Sequence, residues 1–523
     1  MSLHRRQVLG GAAAAVLATV GAAARGPDYG ALARGIDGRL VLPGDRDYPE
    51  ARRLFQPRYD AVAPAAVAYP AHAGDVAVCL DFARRAAVPV VPRGGGHSYA
   101  GWSTGTGSLV VDTGAMASVT VEGDGVRIGA GARLGDVHAA LAARGLSVPA
   151  GLCPSVGIAG LTLGGGLGLA SRAYGTTADR LTGARVVTAD GTVREVSSER
   201  DGDPDLFWAL RGGGGGNFGV VTELRFRTHR AGDCAFAELH WPAAGSADVL
   251  RGWQRWLAGL PDPFWSQVEF TVEAGSGSGS RPGTRAGSGT GSGDAAAVPS
   301  VRVVCLDGRT ELERQLTRLA DLVGAAPRDS WTVVRSHGDT LRAMSGCLDL
   351  SAAECRLPGT LPGRDPRGRL GRDSYAARSD FWAGTGLPDA AIGAVLDAVR
   401  RYGADAPRGG LGVVQFDGVC GGAVNRVAVG DTAFAHRDSA FLGQYLVYWP
   451  ESAPAADVAR HEAWLDGLWR DLRPWASGSA YQNYIDPKLS GWREAYYGPN
   501  LARLEEVRRT HDPDRLFRFP QAV

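Results

Sequence analysis

The stretch Pro92-Arg93-Gly94-Gly95-Gly96-His97-Ser98-Tyr99-Ala100-Gly101 follows directly on a strand-like run at 88–91. Successive glycines let backbone N–H groups converge on an anion, and Arg93 adds positive charge, so the stretch predicts a pyrophosphate cradle after a strand. Its spacing is neither the Gly-x-Gly-x-x-Gly of a Rossmann turn nor the Gly-Lys-Ser/Thr of a P-loop. The alternative interpretation is a glycine-rich turn with a solvated His97.

Two further glycine-dense runs lie downstream. The first is Pro149-Ala150-Gly151-Leu152-Cys153-Pro154-Ser155-Val156-Gly157-Ile158-Ala159-Gly160, continued by Leu161-Thr162-Leu163-Gly164-Gly165-Gly166-Leu167-Gly168. The second is Arg211-Gly212-Gly213-Gly214-Gly215-Gly216-Asn217-Phe218-Gly219-Val220-Val221-Thr222. Dense glycine in mostly apolar stretches indicates close approach of the backbone to a flat or charged ligand. Cys153 taken alone has a simpler interpretation, since a lone cysteine is commonly a small buried hydrophobe.

Length and composition limit the remaining possibilities. The 523 residues suffice for two or three domains, and 56 basic against 55 acidic residues give a net charge of +1, which disfavours nucleic acid as the main partner. Hydrophobic residues make up 44% of the chain, as in a folded protein. Seven cysteines are too few for a disulfide scaffold, and the histidines show no zinc-site spacing, so we expect no metal.

The N-terminus is similar to an export signal. His4-Arg5-Arg6-Gln7 precedes a weakly apolar run to Val20, and Ala22-Ala23-Ala24 offers a cleavage site. Paired arginines before such a run resemble a twin-arginine signal, which predicts transient binding to the twin-arginine translocase and a secreted protein. An uncleaved anchor or an arbitrary basic start is the alternative. No later stretch is apolar enough for a membrane span.

The pattern along the chain predicts its organisation. Apolar spacing predicts helices over 76–87 and 134–144, strands at 88–91, 108–112 and 126–130, and a hairpin around Asp190-Gly191. From Cys234 onward Trp and Phe become frequent, and 274–293 is nearly all Gly and Ser, typical of a flexible loop. We expect the export signal over 1–24, a cofactor domain over 25–230, a substrate domain over 231–475 and the return of the first domain over 476–523.

Several motifs together resemble the berberine bridge enzyme-like flavoproteins of the vanillyl-alcohol oxidase superfamily. They are the Gly94–Ser98 loop, Gly151-Leu152-Cys153-Pro154, the 211–222 run, Tyr481-Gln482-Asn483-Tyr484-Ile485-Asp486, Asp512-Pro513 and Phe519-Pro520-Gln521. The resemblance covers nearly the whole mature chain. It implies an α+β fold, with a two-part flavin domain of the vanillyl-alcohol oxidase/p-cresol methylhydroxylase type and an α+β substrate domain whose antiparallel sheet roofs the flavin.

The resemblance implies FAD bound twice to the protein, from His97 to the flavin 8α-methyl and from Cys153 to ring carbon C6. A neutral imidazole and a thiolate are suitable nucleophiles, and the thiolate requires a lowered thiol pKa. A small residue at Val156 would leave room for O2 and so favours an oxidase. The further cofactor-binding residues implied by the motifs are Arg93, Gly94, Gly95, Gly96, Ser98, Gly101, Gly151, Val156, Gly157, Gly160, Gly165, Gly219, Val221, Tyr481 and Asn483.

The resemblance also implies the catalytic residues. Tyr484 would take the substrate proton as hydride passes to flavin N5. By the same motif Tyr481 and Asn483 would contact the flavin. On a strand, Tyr481 and Tyr484 would face opposite sides, so only one of them could point into a given pocket. Asp417, on a strand lining the substrate side, could help ionise the tyrosine, and Gln415 shares its face. The segment after Asp417 is one residue longer than the family pattern, which leaves the direction of its side chain open.

We therefore expect an exported FAD-dependent oxidase acting on a hydroxyl of a sugar, glycoside or bulky secondary metabolite. O2 would be the acceptor, and the products a carbonyl or lactone and H2O2. Two alternatives stay open: dehydrogenation of C–N or C–C bonds or hydroquinone reoxidation, in natural-product tailoring or drug self-resistance, and a non-catalytic flavin-containing binding protein. Relatives show a cysteine pair spaced like Cys347 and Cys355, which an exported protein could join in a disulfide.

Overall fold

The computed structural model describes residues 26–199, 202–274 and 298–523. The expected export signal over 1–24 lies outside these ranges, as does the expected Gly/Ser loop over 274–293 apart from its first residue. Within the described ranges no helix is both long and apolar enough to cross a membrane. The domain boundaries given above stay predictions.

The strands are numbered in chain order. They are Arg39–Val41 (β1), Ala66–Tyr69 (β2), Val90–Arg93 (β3), Leu109–Asp112 (β4), Val119–Glu122 (β5), Gly125–Gly129 (β6), Leu146–Ser147 (β7), Leu181–Val187 (β8), Val193–Ser197 (β9), Val220–Arg227 (β10), His229–Arg230 (β11), Asp233–His240 (β12), Phe264–Glu273 (β13), Pro299–Cys305 (β14), Asp329–Ser336 (β15), Leu357–Pro358 (β16), Arg364–Asp365 (β17), Ser374–Trp382 (β18), Leu411–Asp417 (β19) and Phe441–Trp449 (β20).

The α-helices are numbered likewise. They are Tyr29–Arg34 (α1), Tyr48–Ala51 (α2), Ala73–Ala86 (α3), Leu134–Ala142 (α4), Ile158–Leu163 (α5), Ser171–Tyr174 (α6), Pro204–Ala209 (α7), Ser246–Ala258 (α8), Arg309–Val323 (α9), His337–Met344 (α10), Asp389–Asp405 (α11), Gly422–Arg426 (α12), Ala455–Leu472 (α13), Trp492–Tyr497 (α14) and Leu501–His511 (α15).

Two sheets in the first half of the chain carry the glycine-rich loops. The first has the order β1-β2-β4-β3, and β2, β4 and β3 run parallel because helix α3 provides the crossover that parallel strands need. The second has the order β5-β6-β10-β8-β9 and is antiparallel. The His97 loop follows β3, and the 211–219 run leads into β10.

Local sequence signals account for several of these elements. Helix α3 buries the apolar face formed by Val76, Leu80 and Ala83, begins at the capping side chain of His72 and ends at Ala87, whose φ is +51°. The hairpin expected around Asp190-Gly191 is confirmed, because β8 and β9 pair antiparallel on either side of that turn.

A large sheet dominates the middle of the chain, with the order β15-β12-β14-β13-β19-β20-β18 and antiparallel pairing throughout. One face packs on helices α8, α9, α11 and α13 through a core rich in Trp and Val. The opposite face, which we call the cavity face, turns toward the glycine-rich loops. The expected antiparallel sheet with helices behind it is therefore confirmed, and the fold is α+β.

The C-terminal tail completes the core of the first half. Ala480, Tyr496 and Leu504 pack in the same apolar cluster as Phe207 of α7 and the residues of β10. Val523 is buried with them; its N–H donates to Asn217 Oδ1, and Arg508 donates to its carbonyl oxygen. The 480–523 segment thus completes the interior of the first half.

The cysteines divide into one bonded pair, a set of buried thiols and the exposed Cys153. The disulfide expected between Cys347 and Cys355 is confirmed, with Cα atoms 5.6 Å apart. The remaining cysteines apart from Cys153 are buried, as expected for small apolar side chains: Cys79, Cys234, Cys305 and Cys420.

A buried ion pair joins the first half of the chain to the segment after Phe434. Arg437 and Asp179 are 2% and 7% exposed, and their side chains are 2.7 Å apart. We expect Arg437→Met to lower the free energy of unfolding by about 3–5 kcal/mol, because the carboxylate is left buried without its partner. Urea denaturation of the purified protein measures this change.

The matched control for that experiment is Arg426→Met. Arg426 and Asp262 are also paired, at 2.6 Å, but their side chains are 62% and 38% exposed. An exposed pair contributes at most about 1 kcal/mol, so this variant should unfold close to the parent. Equal decreases in the free energy of unfolding of the two variants would contradict a special stabilising role of the buried pair.

Candidate functional site

A large cavity lies between the glycine-rich loops and the cavity face of the large sheet. Its volume is about 1950 Å3. One wall is backbone and small side chains from the 93–97, 151–157 and 215–221 segments, and the opposite wall is formed by β12, β13, β14, β19 and β20, where rows of polar side chains lie beside apolar ones such as Leu442. The cavity is therefore bounded by three glycine-dense runs far apart in sequence.

The His97 and Cys153 loops touch through their glycines. A Cβ atom added at Gly95 would lie 2.2 Å from the nitrogen of Gly157, and one added at Gly157 would lie 2.4 Å from the nitrogen of Gly95. No larger residue fits at either place without movement of the backbone. This contact brings His97 and Cys153 to the same cavity.

His97 is held as a neutral imidazole. Its ring stacks on Phe55, with centroids 4.0 Å apart, and its Nε2 is 3.0 Å from Ser155 Oγ. Burial, followed by the positive charge of Arg133, lowers the pKa of His97 to about 3. Arg133 is fixed by donating to the carbonyl of Gly94 at 3.0 Å. A neutral ring keeps a lone pair available for bond formation.

Cys153 faces the cavity from a short turn. Its side chain lines the cavity and is exposed there, in contrast to the buried cysteines elsewhere in the described chain. The turn is closed by Val156, whose N–H donates to the carbonyl of Cys153 at 3.1 Å. His138 Nε2 donates to the carbonyl of Gly151 at 2.9 Å and so anchors the start of the loop.

Tyr481 and Tyr484 both line the cavity, which corrects the expectation that they face opposite sides. The segment Gln482–Tyr484 is a 3-10 turn rather than a strand, and residues three apart on such a turn lie one above the other. Their rings are in edge contact, with centroids 5.0 Å apart. The hydroxyl of Tyr481 accepts from the N–H of Gly166 at 3.0 Å and from Asn483 Nδ2 at 2.9 Å.

A chain of hydrogen bonds fixes the polar groups opposite Tyr484. Gln415 Nε2 donates to Asp417 Oδ2 at 3.1 Å and to Gln444 Oε1 at 2.7 Å. Gln444 Nε2 donates in turn to the hydroxyl of Tyr99 at 2.9 Å, and the Tyr99 ring stacks on Tyr484 with centroids 5.2 Å apart. Asp417 thus points into the cavity, and Gln415 shares its face as expected.

The pKa values of Tyr484 and Asp417 bear on the expectation that Asp417 helps to ionise the tyrosine. Burial, then the neighbouring Tyr99 and Asp417, raise the pKa of Tyr484 well above its ordinary value. The negative charge of Asp417 therefore opposes ionisation of the tyrosine instead of assisting it, because two anions this close repel. Burial raises the pKa of Asp417 itself to about 7, against the lowering effect of the bond from Gln415.

Most of the remaining residues expected to contact a cofactor line the cavity. They are Gly94, Gly95, Gly96, Ser98, Gly151, Val156, Gly157, Gly160, Gly219, Val221 and Asn483. Gly160 is exposed, with nothing within 4 Å of an added Cβ, so a ligand can approach its backbone. Such open glycines beside His97 and Cys153 fit a large flat cofactor with a pyrophosphate.

The structure places three of the predicted cofactor residues differently. Gly101 and Gly165 are not among the residues that line the cavity: added Cβ atoms would lie 2.7 Å from the Tyr59 ring and 2.6 Å from the Phe434 ring, so these glycines allow close packing. Arg93 lines the cavity, but its guanidinium forms a buried ion pair with Asp112 and donates to the carbonyl of Ala51. Its charge is therefore neutralised within the protein.

The sequence motifs do not predict several contacts of the site. Ser155 lies two residues after Cys153, and Tyr99 lies two residues after His97, so their positions in the glycine-rich runs are the one signal for them. Phe55 and Gln444 come from distant segments without any motif. Arg133 lies in an ordinary loop before α4, where no local pattern indicates an electrostatic role toward His97.

Comparison with known proteins agrees with this arrangement. Residues 64–197 match the model of the FAD binding domain family, and residues 480–523 match the model described as berberine and berberine like. The chain is 30% identical to the FAD-linked oxidoreductase YgaK of Bacillus subtilis, over 93% of this chain and 97% of that protein.

Two further relatives extend the similarity. The chain is 30% identical to a xylooligosaccharide oxidase of Thermothelomyces thermophilus, over 88% of this chain and 87% of that protein. The structure of the Physcomitrella patens protein BBE-like 1 is similar with a TM-score of 0.78 and 27% identity, over 95% of this chain and 98% of that one. The cofactor is therefore FAD, and the chain belongs to the berberine bridge enzyme-like family of FAD-dependent oxidoreductases.

Proposed function

We propose that this enzyme is an exported oxidase with FAD attached to both His97 and Cys153, and that it oxidises a hydroxyl of a sugar or glycoside. The observation that carries the proposal is the convergence of His97, Cys153 and Tyr484 on one cavity whose far wall is polar. A polyhydroxylated substrate finds donors and acceptors along that wall. The arginine pair near the N-terminus supports export by the twin-arginine route.

The residues around the cavity fit attachment of the cofactor at two points. His97 offers a neutral imidazole on one loop, and Cys153 offers a thiol exposed to the same space on the other. The glycine contact between the loops holds the two nucleophiles in a fixed relation. A cofactor held by two covalent bonds does not need a deep enclosing pocket, which leaves the polar wall accessible to a large substrate.

FAD held by His97 and Cys153 would supply the acceptor for the hydride of the substrate carbon, and O2 would be the oxidant that regenerates it, with H2O2 as the by-product. The chain itself must orient the substrate and remove the hydroxyl proton. Tyr484 presents its phenol to the cavity as the hydrogen-bonding partner of that hydroxyl and relays the proton: it passes its own phenol proton to the Asp417 carboxylate as it takes the proton of the substrate. Asp417 is suited to be the final acceptor because its pKa of about 7 leaves a large ionised fraction near neutral pH. Gln415 orients the Asp417 carboxylate.

This assignment predicts a pH dependence. The parent enzyme should show kcat/KM rising about tenfold per pH unit below 7 and levelling above it, because only the ionised Asp417 carboxylate accepts a proton. Asp417→Asn should lower kcat/KM and remove that rise. Steady-state rates measured between pH 5 and about pH 9 at saturating O2 test this pH dependence. An unchanged profile in the variant would mean that the titrating group is not Asp417.

A substrate panel tests the proposed reaction. The FAD-loaded enzyme is supplied with monosaccharides, β-1,4-linked glucose and xylose oligomers, hydroquinones and secondary amines, and H2O2 is measured. We expect H2O2 from at least one sugar, with a lactone or carbonyl as the other product. If only the hydroquinones or amines are turned over, the enzyme oxidises those compounds and the proposed sugar oxidation is wrong. If no compound is turned over, a flavin-containing binding protein is favoured.

A further inference from the structure

The polar wall of the cavity consists of two parallel rows of side chains that cross the large sheet. Strand pairing places side chains of neighbouring strands directly opposite each other, and alternate residues of each strand lie on the cavity face. The first row runs, strand by strand, through Asp417, Gln267, Arg302, Glu238 and Trp331. The second row runs through Gln415, Glu269, Ser300, His240 and Asp329.

All members of the two rows except Trp331 line the cavity. The rows begin beside Tyr484 and end on β15, the edge strand of the sheet. Four strand spacings of about 4.8 Å separate Asp417 from Trp331, so the wall is about 19 Å long. One pyranose ring of an extended chain advances roughly one strand spacing, and the wall is therefore long enough for about four rings.

Trp331 is the apolar end of an otherwise polar row. Its side chain is 45% exposed, although large aromatic side chains in the described chain are mostly buried. Phe236 supports the ring from one side, with centroids 4.9 Å apart. Its strand neighbour Asp329 and its cross-strand partner Glu238 both line the cavity, so the exposed indole borders the outer end of the wall.

We propose that Trp331 forms a distal subsite on which an outer ring of an elongated sugar chain stacks while its terminal hydroxyl is oxidised beside Tyr484. The C–H face of a pyranose ring is apolar and its edges carry hydroxyls, which matches an exposed indole flanked by Asp329 and Glu238. The inference rests on the proposed sugar oxidation. It adds a preference for oligomers over monosaccharides, set by a residue four strand spacings, about 19 Å, from Asp417.

Binding measured without turnover separates this inference from the proposed reaction. FAD-loaded enzyme carrying Tyr484→Phe is titrated calorimetrically with β-1,4-linked glucose and xylose oligomers, from disaccharide to pentamer. We expect the pentamer of one series to bind about tenfold more tightly than its disaccharide, and Trp331→Ala to abolish that ratio while disaccharide binding persists. The matched control is Trp475→Ala, because Trp475 is 48% exposed and lies outside the cavity lining.

The possible outcomes distinguish failure of the distal subsite from failure of the proposed sugar oxidation. Equal affinity for all lengths, no binding of either series, or a length preference that survives Trp331→Ala would overturn the distal subsite. If the preference depends on Trp331 but the parent oxidises no sugar, the subsite stands and the proposed reaction falls. If the parent oxidises sugars with no length preference in binding, the reaction stands without the subsite.

Discussion

Tyr484→Phe should reduce kcat by about 10²- to 10⁴-fold, because the variant keeps the aromatic ring but loses the hydroxyl that receives the substrate proton. The ring stacks on Tyr99 and contacts Tyr481, so Phe preserves the packing of the cavity. Stopped-flow reduction of the bound flavin by substrate under nitrogen measures the affected step directly. KM should change little, since the polar wall that binds the substrate is intact.

The control for this variant is Tyr402→Phe. Tyr402 is also a buried tyrosine, but its hydroxyl bonds to His461 at 2.9 Å behind the large sheet. That variant should reduce its flavin at the parent rate. A Tyr484→Phe enzyme that retains activity within a few-fold of the parent would leave Asp417 as the principal proton acceptor and remove Tyr484 from the chemistry.

Removing the two attachment residues should release the cofactor in steps. After acid denaturation the parent should retain the mass of one FAD, and so should His97→Ala and Cys153→Ala, since each keeps one bond. The double variant should lose all of its flavin on denaturation. Intact-mass spectrometry reads this result without depending on activity, and the single variants should also be weaker oxidants than the parent.

Cys420→Ala is the matched control for these variants. Cys420 is a buried thiol near the cavity that does not line it, and its pKa is raised to about 12 by burial, so it should carry no flavin. A parent that loses its flavin on denaturation would refute covalent attachment, although FAD binding would stand. Retention of flavin by the double variant would mean that another residue forms the bond.

Sequence reasoning recovered the parts of the site that depend on local chemistry. The glycine runs around His97 and Cys153 were visible because glycine is needed wherever two backbones approach closely, as Gly95 and Gly157 do. The tail motif identified Tyr484 as a cavity residue through resemblance. The side-chain direction of Asp417 followed only from strand register, which pairs it with Gln267.

The differences between expectation and structure share a physical cause, which is tertiary context. A short tail motif does not reveal whether Tyr481 and Tyr484 lie on a strand or on a 3-10 turn, so it does not fix whether they face the same side. The sequence does not show the aromatic rings that pack against Gly101 and Gly165. The ion pair that neutralises Arg93 joins residues 19 apart on neighbouring strands.

The place of residues 480–523 in the core of the first half has a consequence for biosynthesis. Tyr484, Tyr496 and Leu504 are synthesised long after the loops with His97 and Cys153. Tyr496 and Leu504 supply apolar packing to residues of β10 and α7, so the first half of the chain lacks part of its core until they have left the ribosome. Chaperones can bind the exposed apolar surface during that interval.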